Sequence, residues 1–89
     1  MSGGLEAYNR IKDDLERKSV RAIYNEYCKA AKQYDPFNGP HEGWAVIKEE
    51  MDELWSHVKT WPQEDREAMR KEAMQIGAMA LRFMVDVCG

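Results

Sequence analysis

Eighty-nine residues, 44% of them hydrophobic, suffice for one small domain, at a size where a lone core confers only modest stability. A net charge of −3 with no run of basic residues argues against a phosphate-backbone binder, which carries a Lys/Arg patch, so nucleic acid is not an expected partner. No apolar run approaches the roughly 18 residues that cross a bilayer, so a membrane is not expected either.

The start of the chain, Met1-Ser2-Gly3-Gly4-Leu5, has neither a basic nor an apolar targeting region. Residues 1–4 are read as a flexible leader and 5–89 as a single helical domain. Cys28 and Cys88 form no CxxC pair and have no histidine at zinc spacing. They read as reduced thiols at apolar helix positions, and the expected compartment is the cytoplasm.

From Leu5 to Tyr34 there is neither Gly nor Pro, and apolar residues recur at Leu5, Tyr8, Ile11 and Leu15. They continue through Val20, Ile23, Tyr24, Tyr27, Ala31 and Tyr34, the spacing of a helix with one buried stripe. Lys18-Ser19 either divides this stretch, with Ser19 as an N-cap, or lies inside one long helix. Asp35-Pro36-Phe37-Asn38-Gly39-Pro40 predicts a loop. A second helix is expected from about Glu42 to Lys59, with Trp44, Ile47, Met51, Leu54, Trp55 and Val58 on its apolar face. Trp61-Pro62 breaks it. A third helix is expected from Pro62 or Gln63 to Cys88, with Glu64, Asp65 and Glu67 in its first turns, where the helix dipole favours acids. No strand signal occurs.

From Ala73 to Cys88 the third helix is almost continuously apolar, interrupted only by Gln75, Arg82 and Asp86. A helix apolar on all sides is buried in a bundle or an oligomer. Glu72, Gln75, Arg82 and Asp86 follow one another at steps of three, seven and four residues. At about 100° per residue all four share one stripe with Met79. Buried polar groups need partners, so this seam faces a helix, a metal or a ligand. Arg82 and Asp86, four residues apart, can pair with each other.

On the second helix Glu50 and Glu53 project from one face, with His57 a turn further on. One reading is a solvated acidic flank bridged to lysines. The other joins them with Glu72 as clustered oxygen ligands for Mg²⁺, whose common use is to grip phosphate oxygens.

Glu49-Glu50-x-x-Glu53 followed, one helix later, by Glu72-x-x-Gln75 resembles the EExxE and ExxD signature of the MazG-like all-α nucleoside triphosphate pyrophosphohydrolases. The resemblance covers roughly residues 20 to 88, including helix order and spacing. It implies an all-α bundle of three to four helices completed by pairing of subunits into a homodimer or homotetramer. It also implies Mg²⁺ or Mn²⁺ as cofactor and a nucleoside triphosphate as substrate, cleaved to the monophosphate and pyrophosphate. Carried over by position, Glu50, Glu53 and Glu72 would be metal ligands, and Glu49 would assist them or activate water. Gln75 stands where the pattern has Asp. Its carbonyl oxygen can ligate a metal, but it carries no charge and cannot act as a base.

Arg82 would contact phosphate through its guanidinium, His57 would extend the site, and His41, Phe37 or Trp44 would form a base-stacking pocket. The plainer readings are a core-edge histidine for His57 and a helix start with an anchoring tryptophan for His41 and Trp44. The alternative for the whole chain is a catalytically silent helical module that binds nucleotide or a protein partner, the reading Gln75 favours.

Overall fold

The computed structural model describes residues 3–60 and 65–89 and is all-helical, with no strand among them. Three helices follow in order: α1 (Gly3–Gln33), α2 (Pro40–Val58) and α3 (Arg66–Asp86). α1 is one unbroken helix of 31 residues. It takes in Gly3 and Gly4 of the expected leader. Ser19 does not cap a new helix; its Oγ accepts a hydrogen bond from Arg70 Nη2 at 3.0 Å and ties α1 to α3.

α2 starts two residues before the expected position because Pro40 occupies its first turn, where the missing N–H is of no consequence. The expected break at Trp61-Pro62 and the expected start of the third helix at Pro62 or Gln63 lie outside the described residues. Asp65 corrects the expected boundary. Its backbone is extended, and its carboxylate accepts from Glu67 N at 2.8 Å, so it caps α3 rather than riding in its first turn. α3 ends at Asp86, leaving Cys88 exposed beyond the helix rather than at an apolar helix position. Cys28 is half-buried on α1, and both thiols are free.

α3 is the central element. α1 and α2 each pack against it, and the two do not approach one another. α1 runs parallel to α3, since Ser19 meets Arg70, Ile23 meets Gly77 and Glu26 meets Gln75. α2 runs antiparallel, with Gly43 near Phe83 and Glu50 and Glu53 near Glu72. The core is small: Ala30, Phe37, Ala78 and Met79 are buried, flanked by Tyr27, Val46, Ile47, Phe83 and Val87. The expected enclosure of α3 on all sides is not found within one chain, because Met84 is 65% and Val85 50% exposed. No helix among the described residues is long and apolar enough to cross a membrane.

Candidate metal centre and cleft

The seating of α2 on α3 begins at Gly43. A Cβ there would lie 2.6 Å from Phe83 Cδ2 and 3.2 Å from Phe37 Cδ2. Only a residue without a side chain lets the α2 backbone rest against that ring. Two turns further along α2, Glu50 and Glu53 come to face Glu72 of α3. One carboxylate oxygen from each of the three lies within 4.8 Å of the other two. Asp52, not Glu50 or Glu53, is the acid on this helix that pairs with a lysine, Lys48, at 3.0 Å.

Carboxylates this close raise one another's proton affinity. Burial, followed by the charges of Glu53 and Glu72, pushes the Glu50 carboxyl up to about 7. Glu53 is also raised, chiefly by the Glu72 carboxylate that faces it, while Glu50 and His57 act in the opposite direction. Glu50 therefore keeps its proton at pH values where isolated glutamates are ionised, and Glu53 is shifted in the same direction. Glu72 Oε2 is fully buried and has no hydrogen-bond partner among the described residues. An acceptor left this way is costly, and a cation would relieve both the orphaned oxygen and the crowded charge.

The cluster opens into a cleft of about 590 Å³ between α1 and α2, with α3 as its floor. Of the residues singled out from the sequence, Glu49, Glu50, Glu53, Glu72, Gln75 and Arg82 line it. His41, Trp44 and His57 do not. His41 is exposed in the first turn of α2, and Trp44 is 55% exposed beside it. His57 is half-buried near the far end of α2 and bears on the site through its charge on Glu53.

Gln75 is already engaged, since its Nε2 donates to Glu26 Oε1 at 2.8 Å. An ionised carboxylate only accepts hydrogen bonds, so the amide must turn its NH₂ toward Glu26. Its carbonyl oxygen is then the atom left for another partner. Arg82 is buried at 5% exposure and holds the α1–α2 loop. It donates from Nη2 to the Asp35 carbonyl at 3.0 Å, and its guanidinium lies 4.2 Å from the centre of the Phe37 ring. Asp86 completes this clamp by accepting from Phe37 N at 3.1 Å, with Arg82 Nε 3.9 Å away. Phe37 is thus covered by Arg82 within the core, which corrects the expectation that its face is open to stack on a base.

Glu26, Lys29 and Lys71 also line the cleft, and the sequence reading passed over all three. Glu26 had a visible signal. It sits three residues after Ile23 and four before Ala30, an acid on the packed stripe of α1. The lysines had none, because single cations on helices are ordinarily solvated. Compared with protein-family models, with curated proteins and with solved structures, the chain matches none.

Proposed function

We propose that this chain is a Mg²⁺-dependent nucleoside triphosphate pyrophosphohydrolase of the MazG-like kind, working as a homodimer or homotetramer. The observation that carries this reading is the meeting of Glu50, Glu53 and Glu72 around the buried, unpartnered Glu72 Oε2 at the floor of an open cleft. Three carboxylates and the Gln75 carbonyl are hard oxygen donors, the set that suits Mg²⁺ or Mn²⁺, so the residues fit the ion. When bound, the ion would neutralise phosphate charge and polarise a water molecule.

The chain's own residues supply the rest. Glu50, Glu53 and Glu72 hold the ion, and Gln75 offers its carbonyl oxygen with the amide oriented by Glu26. Lys29 on α1 and Lys71 on α3, which also line the cleft, attract the phosphates. Glu49, exposed at the cleft, would accept a proton from the attacking water as the anhydride bond between the α- and β-phosphates breaks, giving the monophosphate and pyrophosphate. Arg82 acts by holding the Asp35–Phe37 loop.

The test is pyrophosphate release from a panel of canonical and modified (d)NTPs with Mg²⁺ or Mn²⁺, run beside Glu50→Gln and Gln75→Asp. Turnover by the native chain that is lost in Glu50→Gln supports the enzyme. A second reading, a silent module that binds nucleotide or a protein partner, is favoured by the engagement of Gln75 with Glu26. It predicts no turnover by the native chain and turnover gained in Gln75→Asp.

A further inference from the structure

Among the described residues, none packs over the first half of α1 as α3 packs over the second. α1 and α3 run parallel, and the Ser19–Arg70 hydrogen bond lies in the second turn of α3. The sixteen residues of α1 from Gly3 to Lys18 therefore run on for about 24 Å at 1.5 Å per residue. This arm helps to stretch the molecule to 54 × 32 × 19 Å, with a radius of gyration of 16.0 Å. A compact chain of this length has about 12 Å.

The arm is not a polar spacer. The face of α1 that α3 covers carries Ser19, Ile23, Glu26 and Ala30. Stepping back from Ser19 by three and four residues, the same side carries Leu15, Ile11, Tyr8 and Leu5. Their exposures are 51%, 61%, 62% and 64%. The buried stripe thus continues past the end of its cover. At the root of the arm an apolar cleft of about 500 Å³, lined in part by Ala22, Ile23 and Met74, extends the same surface.

Two quantities identify the occupant. The chain exposes 7033 Å², whereas a folded monomer of 10.4 kDa exposes about 5,400 Å². The excess, roughly 1,600 Å², is about twice what one partner contributes to a stable interface of ordinary size. A contiguous apolar stripe of this length marks an interaction site, and its partner has to be available wherever the chain is. A second copy meets that condition, because it is always available at equal concentration and presents the same apolar patch.

We infer that Leu5, Tyr8, Ile11 and Leu15 of the α1 arm form a self-complementary interface with the same arm of a second copy, paired antiparallel about a two-fold axis. This deepens the oligomer proposed above and rests on it, but it does not depend on the metal chemistry.

The experiment is the solution mass of the full chain by light scattering, compared with Ile11→Glu/Leu15→Glu on the arm and Trp55→Lys on the exposed face of α2. Amide hydrogen exchange of the native chain is followed alongside, as a function of concentration. The expected result is a native dimer, a monomeric arm variant and a dimeric Trp55→Lys. Arm amides of the native chain should be protected at high concentration and lose that protection on dilution. A monomeric native chain overturns both the oligomer and the arm interface. A native dimer whose arm variant stays dimeric, or whose arm amides exchange freely at concentrations where it is dimeric, overturns the arm interface alone. The exchange measurement uses the native chain and decides the matter even where the double variant does not fold.

Discussion

Gln75 donates its side-chain amide to the Glu26 carboxylate across 2.8 Å, joining α3 to α1 on the wall of the cleft. The pair places a fourth carboxylate and a carboxamide in the cleft that holds the three carboxylates clustered at Glu72. Changing Gln75 to Asp removes the donor and sets a carboxylate against Glu26. Without divalent ions, Gln75→Asp is expected to lower stability by about 1–3 kcal/mol, the penalty for an unsatisfied, partly buried acceptor. Mg²⁺ should restore part of that loss, raising the melting temperature of Gln75→Asp more than that of the native chain. Thermal unfolding with EDTA and with Mg²⁺ checks both; an equal response in the two proteins would count against a cation at this cluster.

The raised affinity of Glu50 for its proton has a definite sign in the metal-free chain. Below the ordinary glutamate value of 4.5, Glu50 is protonated in both the folded and the unfolded states. Its folded value is about 7, so the folded state retains the proton over the interval in which the unfolded chain gives it up. Stability therefore falls as pH rises from 4.5 through 7 and levels off above. Glu50→Gln cannot ionise and should show a flatter profile over that window. Melting temperatures of both proteins in EDTA between pH 4.5 and 8 test this, and parallel profiles would refute it.

At Gly43 two effects oppose each other. Alanine improves helix propensity by about 1 kcal/mol, but its Cβ would meet Phe83 Cδ2 at 2.6 Å. Overpacking of this kind costs about 1–3 kcal/mol. The net effect expected of Gly43→Ala is a loss of about 1 kcal/mol, or roughly 4–8 °C in melting temperature for a domain of this size. If α2 moves off α3 to make room, Glu50 and Glu53 move away from Glu72, and Mg²⁺-induced stabilisation should decline with it.

Arg82 is expected to matter for the fold before it matters for any ligand. Arg82→Ala leaves the Asp35 carbonyl and Asp86 without their cation and uncovers Phe37. Breaking a buried pair in this way costs about 3 kcal/mol. Arg82→Lys keeps the charge but not the planar group over the Phe37 ring, so it should recover only part of the loss. Chemical denaturation of the two variants measures the difference; full stability in Arg82→Ala would show that the loop is held by other contacts.

The three helices and the loop between α1 and α2 were legible from periodicity and from the positions of Pro and Gly, because those signals are local to the backbone. The grouping of Glu50 with Glu53 was legible too, since residues three apart on a helix must be neighbours. Only the tertiary structure set Glu72 within reach of them, through the seating of Gly43 on Phe83, a contact between residues 40 positions apart that no local pattern encodes. It also gave the four polar residues of α3 different duties. Glu72 and Gln75 face the cleft, whereas Arg82 and Asp86 bind the loop, because α2 crosses one part of that stripe and the Asp35–Phe37 segment crosses the other. Glu26 shows the same division. Its place on the packed face of α1 could be read from spacing alone, but its partner could not, since that depends on α1 and α3 running parallel in one particular register.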